Sequence, residues 1–305
     1  MKKKYLISIV GPTAIGKTAL SIKLAQYFKT EIISCDSRQF FKEMTIGTAV
    51  PEIEELAAAP HHFIQHKSIS EEYNVGSFEN EAIAELNELF KTNDIVIMVG
   101  GSGLYVNAVV NGLDEFPKVD KSIREELTKR LATEGIAPLQ KQLLELDPIS
   151  YHKIAIDNPQ RISRALEICI GSGKPYSSFL NLKKNNRNFE TISIGLTADR
   201  EFIYDRINKR VDIMLQNGLL EEVKALLPHQ ELNALNTVGY KELFKYLSRE
   251  WEFDFAISEI KKNTRRFAKR QVTWFKRNKE TTWFDYKYEI QEVTNYLNKV
   301  IQKHA

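Results

Sequence analysis

Gly11-Pro-Thr-Ala-Ile-Gly-Lys-Thr18 lies between an apolar run, Tyr5 to Val10, and an amphipathic one, Thr18 to Phe28, in which Leu20, Leu24, Ala25 and Phe28 share a helical face. Strand, glycine loop and helix in this order form a phosphate-gripping loop. Glycines at 11 and 16 let successive backbone N–H groups turn inward around an anion, and the helix adds the positive end of its dipole. Lys17 supplies a point charge, and Thr18 offers a hydroxyl to Mg²⁺. All eight residues, Gly11, Pro12, Thr13, Ala14, Ile15, Gly16, Lys17 and Thr18, are expected to hold a phosphate chain, with Thr18 as the metal contact.

Four further runs read as core strands: Glu31 to Cys35, Asp94 to Val99, Thr191 to Leu196 and Thr282 to Tyr286. Helical patterns alternate with them, including Phe78 to Phe90 and Phe202 to Leu215, the latter stopped by Gly218. From about Leu113 to Arg187 the strand signal disappears and helical stretches such as Ile123 to Leu131 and Pro159 to Ile170 take over. Its borders, Asp114-Glu-Phe-Pro117 and Lys183-Lys-Asn-Asn-Arg187, have the polar or proline-bearing composition of hinges. The expected architecture is α/β: a P-loop three-layer fold with a mainly parallel sheet, an inserted all-helical domain and a helical C-terminal part. Residues 1–112 and 188–305 would form the core, and 113–187 the insertion.

Composition narrows the function classes without choosing among them. A net charge of +3 over 305 residues diagnoses no partner by itself. Cys35 and Cys169 lie far apart with no metal spacing, which predicts reduced thiols in a cytoplasmic protein and no zinc site. The opening Met1-Lys-Lys-Lys and its short apolar run are too brief for a signal segment, and no run approaches a membrane span. A monomer is expected because no coiled-coil seam is present.

P-loop ATPases and GTPases need a carboxylate at the end of a neighbouring strand. Here that strand runs into Gly100-Gly-Ser-Gly103, which reads either as a tight turn or as a second close approach to substrate. Asp36, just past the strand Glu31 to Cys35, faces the ligand crevice expected at the carboxyl ends of the strands. It is open to three readings: general base, metal contact or helix N-cap. Arg200, soon after another strand, reads as a diphosphate contact or as a solvated helix-start arginine. His61-His62 fits structural or substrate-positioning use better than metal binding, because ligand partners at suitable spacing are missing.

Lys261 to Lys279 contains nine Lys or Arg and no acidic residue. Lys261, Arg265 and Lys269, and likewise Lys262, Arg266 and Arg270, recur every four residues and so share one side of a helix, with Ile260, Phe267 and Trp274 as its buried side. This points to a polyanion, and Gln160-Arg-Ile-Ser-Arg164 in the insertion adds a second basic element.

Taken together, these segments closely resemble the bacterial tRNA dimethylallyltransferases, also called tRNA isopentenyltransferases. The matches are Gly11 to Thr18, Asp36-Ser-Arg-Gln39, Gly47-Thr-Ala49, Pro60-His-His62, Gly100-Gly-Ser-Gly-Leu-Tyr105, Asn158-Pro-Gln-Arg-Ile-Ser-Arg-Ala-Leu-Glu167, Val238-Gly-Tyr240 and Lys269-Arg-Gln-Val-Thr-Trp274. The resemblance implies transfer of a dimethylallyl group from dimethylallyl diphosphate to N6 of the adenosine next to the anticodon, tRNA position 37, with Mg²⁺ assisting. It implies catalytic roles for Asp36, Thr13 and Arg200, with Lys17 and Thr18 also on the diphosphate. It places Asp36, Ser37, Arg38, Gln39, Ser102, Arg124, Gln160, Arg161, Ile162, Ser163, Arg164, Thr237, Val238, Gly239, Tyr240, Lys241, Glu242, Lys269, Arg270, Gln271, Trp274 and Lys276 on the path of the tRNA anticodon stem-loop. Val50 stands where the family often has Lys, leaving Lys42 or Arg38 to compensate, and Ser102 replaces a common Thr. The rival readings are a P-loop kinase of a nucleoside or small hydroxyl compound, and an RNA-binding protein with a vestigial loop.

Overall fold

The computed structural model describes residues 3–181 and 187–304. Its sheet is assembled from β1 (Tyr5–Val10), β2 (Ile32–Ser34), β3 (His61–His62), β4 (Ile95–Val99), β5 (Glu190–Thr197) and β6 (Thr282–Asp285), in the order β3-β2-β4-β1-β5-β6. Every pairing is parallel. The central strand β1 aligns Tyr5 with Ile95 on one side and with Glu190 on the other, so all six of its residues are buried. A strand covered on both faces reads as a continuous apolar run, which is why it stands out in the sequence. Truncating Ile7 to Ala in this layer would cost about 2 to 5 kcal/mol.

The chain divides into two compact units, residues 1–111 with 187–305, and residues 112–186. In the first, α1 (Lys17–Phe28), α2 (Ile53–Ala58), α3 (Val75–Thr92) and α4 (Gly103–Asn111) connect the early strands. The second unit holds α5 (Lys121–Glu134), α6 (Ala137–Leu146), α7 (Pro148–Lys153) and α8 (Pro159–Ser172). The first unit resumes with β5, then α9 (Arg200–Gln216), α10 (Leu219–Leu226), α11 (Tyr240–Leu247), α12 (Phe253–Phe275) and, after β6, α13 (Ile290–His304). Odd residues of β1, Tyr5, Ile7 and Ile9, pack into one apolar layer with Leu20 and Leu24 of α1; even residues Leu6 and Val10 join the opposite layer with Phe78 and Val109. That is the period-two consequence of the pleat.

The insertion unit has its own core of Leu127, Leu139, Leu143, Ile162, Ala165, Leu166 and Cys169. Asp147 joins two of its elements. This buried carboxylate accepts from the Ser150 N–H (3.0 Å), the Ser177 N–H (2.7 Å) and the Ser177 hydroxyl (2.9 Å).

The structure extends two expectations and corrects a third. His61-His62 is a short edge strand: its two residues carry no alternation or β-branching that a sequence pattern would register. Gly218 does more than stop α9, since its φ of 98° makes it the N-cap of α10. Phe267 is exposed, and the buried side of α12 runs instead through Ala256, Ile260, Ala268, Gln271 and Phe275. Of the border Lys183-Lys-Asn-Asn-Arg187, residues 183–186 lie outside the described residues, while Arg187 donates to Glu79 (2.6 Å) and to the Ala108 carbonyl (2.7 Å). Cys35 and Cys169 are free, buried thiols.

Candidate active site

The phosphate loop leaves β1 at Gly11, whose φ of 145° and contact with Leu196 admit no side chain: a Cβ there would stand 2.7 Å from the Leu196 carbonyl oxygen. Ala14 is also left-handed (φ 62°), a conformation that costs an L-residue about 1 to 2 kcal/mol and that turns N–H groups toward a common centre. Lys17 Nζ donates to the Pro12 carbonyl (2.8 Å). Burial lowers the Lys17 pKa from its ordinary 10.5 to about 8, opposed by the nearby Asp36 charge and reinforced by Arg210. One carboxylate and one further cation therefore act on the lysine electrostatically.

Asp36 lies two residues beyond β2. Its Oδ1 accepts from the Arg38 N–H (3.0 Å), closing a local turn, and no helix follows, so the helix N-cap reading falls away. Ser102 ties this turn to the glycine-rich segment: its Oγ accepts from the Ser37 N–H (3.0 Å) and donates to Ser37 Oγ (3.0 Å). A Cβ at Gly100 would overlap the Cys35 carbonyl, and one at Gly101 or Gly103 would overlap Gln271 or Trp274. Protein packing thus accounts for the glycines between 100 and 103.

Other members of the expected site act on the protein itself. The Arg38 guanidinium donates to the carbonyls of Asn233 (3.0 Å), Ala234 (2.8 Å) and Asn236 (3.4 Å), so it is already engaged rather than replacing the lysine missing at Val50. Gln39 Nε2 donates to the Thr48 (3.2 Å) and Ala49 (2.8 Å) carbonyls. Tyr240 is fully buried and donates to Glu222 (2.6 Å), whose carboxylate also accepts from the N–H groups of Thr45, Ile46 and Gly47. Glu242 is buried, accepting from the Gly239 N–H (2.8 Å) and from Asn263 (2.8 Å). Ile162 lies in the insertion core. Gln271, also buried, accepts from the Thr13 N–H (2.9 Å) and donates to the Gly101 carbonyl (2.9 Å), so it braces the phosphate loop. The side chains of Ile162, Tyr240, Glu242 and Gln271 therefore do not form a surface for RNA, because burial has committed each to the fold.

Two functional candidates escaped the sequence reading. Arg206 Nε donates to the Ala14 carbonyl (2.6 Å), and Arg210 Nη1 approaches Thr13 Oγ1 (3.4 Å). Burial, with Arg206 nearby, lowers the Arg210 pKa. They sit one turn apart on α9, an i, i+4 pair that marks a shared face, though nothing in the sequence says the face meets the loop. Arg200, on the first turn of α9, is exposed and lines a cavity of about 360 Å³ with Pro12, Tyr204, Lys269, Val272 and Lys276. On α12, Lys261 pairs with Asp212 (2.6 Å) and Arg265 donates to Asn208 (2.7 Å), so this end of one basic row is turned onto α9. Lys269, Arg270, Lys276 and Arg277 remain exposed. His61 Nδ1 lies 2.8 Å from the Ala59 carbonyl, and His62 bridges Glu31 (2.8 Å) and Glu85 (3.1 Å), a structural use of both rings.

Among the described residues no group of three or more His, Cys, Asp or Glu side chains is placed to hold a metal, and no helix is long and apolar enough to cross a membrane. Fold and site define an α/β protein with a parallel sheet, a glycine-bearing loop after β1 that carries Lys17 and is contacted by Arg206 and Arg210, and a helical insertion unit. The chain belongs to the IPP transferase family, whose model matches residues 39–278. It is 63% identical over 300 residues to the tRNA dimethylallyltransferase of Flavobacterium johnsoniae, covering 96% of this chain and 97% of that one. Among solved structures, it is similar to the tRNA isopentenylpyrophosphate transferase of Bacillus halodurans (TM-score 0.74, 36% identity, 99% and 98% of the two chains). It is also similar to a eukaryotic dimethylallyltransferase captured acting on tRNA (TM-score 0.79, 28% identity, 98% of this chain and 78% of that one).

Proposed function

We propose that this protein transfers the dimethylallyl group of dimethylallyl diphosphate to N6 of the adenosine at tRNA position 37, releasing diphosphate. The observation that carries the reading is the electrostatic coupling of Lys17 to Asp36 and Arg210, with Arg210 3.4 Å from Thr13 of the same loop, in a chain 63% identical to a tRNA dimethylallyltransferase.

In the reaction the N6 lone pair attacks the allylic carbon, the carbon–oxygen bond breaks with its electron pair leaving on the diphosphate, and N6 loses one proton. Negative charge grows on the leaving oxygens, and the loop N–H groups, Lys17 and Arg210 stabilise it there. Thr13 stands beside Arg210 and serves the bridging oxygen, while Arg206 steadies the loop through Ala14. Arg200 completes the cationic rim from the outer side of the loop. An exocyclic adenine amine is a poor nucleophile because its lone pair is delocalised, so Asp36 orients it and accepts its proton. The base is everted from the anticodon loop to reach this carboxylate.

The Thr18 hydroxyl fits Mg²⁺ in the manner usual for that ion, which takes few protein ligands and completes its shell with phosphate oxygens and water. When bound there it would neutralise charge on the leaving diphosphate. Exposed residues carried over from the family, Gln160, Arg161, Lys241, Lys269, Arg270 and Lys276, with Arg124, Ser163, Arg164, Thr237, Val238 and Trp274, supply the contacts to the anticodon stem-loop.

The test is incubation with dimethylallyl diphosphate, or separately with ATP, in the presence of bulk tRNA, followed by mass spectrometry of the digested nucleosides. Prenylated adenosine from the first mixture supports the reading. A phosphorylated product from the second, with no prenylated adenosine from the first, would establish the kinase reading instead.

A further inference from the structure

Glu167 occupies the middle of α8, where the neighbouring buried positions Ala165, Leu166, Ile168 and Cys169 are apolar. Its side chain is only 8% exposed. One oxygen, Oε2, accepts from Arg124 Nη2 (3.0 Å) and Nε (3.3 Å) and lies 3.1 Å from Arg164 Nη1. The two arginines come from different helices, α5 and α8, and their side chains are 64% and 41% exposed. The Arg164 guanidinium also lies over the Phe116 ring (5.3 Å), and that ring stacks on Tyr176 at 4.9 Å and 8°. Each guanidinium is thus fixed at its inner edge and open at its outer one.

From this geometry we infer that Glu167 is a positioning residue that holds Arg124 and Arg164 together as a two-guanidinium grip for a phosphodiester of the tRNA. The inference deepens the tRNA-modifying reading above and rests on it. A buried carboxylate has to be met by charge and hydrogen bonds, and here one carboxylate meets two cations, which leaves the cluster net positive. Guanidiniums recognise phosphate through their fixed fork of donors, so orientation matters beyond charge. Without the carboxylate, two like charges a few ångströms apart would repel one another and lose their common register.

The sign of the effect is diagnostic. Long-range electrostatics alone says that removing an acid from an RNA-binding surface tightens binding and steepens its salt dependence. The positioning role says that binding weakens. The experiment measures tRNA affinity across a salt series for the wild type, Glu167→Ala, Glu167→Gln, an Arg124→Ala/Arg164→Ala variant and the triple variant, with thermal melting and prenyl-donor KM alongside. Glu167→Ala is expected to weaken binding about tenfold, a typical coupling for groups sharing one network, with donor KM unchanged. Glu167→Gln, which keeps volume and one acceptor oxygen, should fall between that variant and wild type. In the background lacking both arginines, Glu167→Ala should weaken binding no further.

Tighter or unchanged binding in folded Glu167→Ala or Glu167→Gln overturns the inference, as does a full effect in the arginine-free background. If Glu167→Ala fails to fold, Glu167→Gln decides by the same criterion. The wild-type arm separates the two claims. Absence of prenylated adenosine there overturns the parent reading and this inference with it, whereas prenylation with insensitive Glu167 variants overturns the inference alone.

Discussion

The half-buried Lys17 should make donor binding a proton-uptake reaction at mildly alkaline pH. Lys17, held at about 8 in place of 10.5 by burial, is about 90% charged at pH 7, half charged at pH 8 and about 10% charged at pH 9 in the ligand-free protein. The donor's terminal phosphate titrates near pH 6, as phosphate monoesters do, so above pH 8 only the protein changes. A bound diphosphate restores the charged lysine, so binding should take up about half a proton at pH 8 and about 0.9 at pH 9, while affinity falls about fivefold between those values. Isothermal titration with dimethylallyl diphosphate, without RNA, in two buffers of different ionisation enthalpy measures the uptake directly. Lys17→Arg, which stays charged, should bind with no uptake and a flat pH profile. The same depressed pKa acts on the free protein with a defined sign. Between about pH 8 and 10.5 the unfolded chain binds more protons than the folded one, so this group's contribution to stability rises with pH by about 3 kcal/mol across that window. Zero uptake at pH 8.5 together with constant affinity from pH 7 to 9 would refute the reasoning.

Asp36→Ala should lower kcat by about 10² to 10⁴ while leaving tRNA affinity nearly unchanged; single-turnover rates and filter binding together check this, and abolished binding with intact chemistry would remove the proton-acceptor role. Arg210→Ala should reduce kcat/KM for the prenyl donor by about 10² to 10³, with Arg200→Ala the milder of the two because Arg210 approaches Thr13 within the loop whereas Arg200 is exposed at the rim of the cavity beside Pro12; steady-state kinetics with tRNA saturating would show the order. Lys269→Ala with Arg270→Ala should flatten the slope of log affinity against log salt by about 0.7 to 0.9 for each phosphate no longer neutralised, and an unaltered slope would move the RNA path elsewhere. Asp147→Ala should destabilise the chain by about 2 to 4 kcal/mol, visible in thermal melts at pH 7. Desolvation pushes the Asp147 carboxyl up, but the Ser150 and Ser177 hydrogen bonds prevail and hold it below the usual 3.8, so its contribution is complete above pH 3.8 and disappears as pH falls through the lower folded value.

The parts of the fold legible in sequence are those set by local or strictly periodic demands. β1 reads as a strand because both its faces are covered, and α1 because Leu20, Leu24 and Ala25 recur on one side. The phosphate loop is legible because the backbone turn that makes an anion cradle tolerates so few residue types at 11 and 16. Asp36 is legible as a crevice candidate because the carboxyl ends of parallel strands border the ligand crevice in such sheets, and it lies just past β2. Motif matches single out candidate RNA-facing segments, yet they cannot tell a side chain that points outward from one that has turned in. Tyr240 and Glu222 illustrate the difficulty, since their partnership spans 18 positions and includes the backbone of residues 45–47.

By itself, then, the chain's order of residues determined the parallel α/β core, the phosphate loop, the helical insertion and the identity of the first carboxylate beyond β2. Only the tertiary structure decided that Arg206 and Arg210 reach the loop, that Gln271 braces it from α12, and that Glu167 gathers Arg124 with Arg164. The reason is physical. Backbone geometry and burial periodicity act over a few residues and leave a repeating trace, whereas a hydrogen bond between groups 197 or 258 positions apart depends on packing angles that no local pattern encodes.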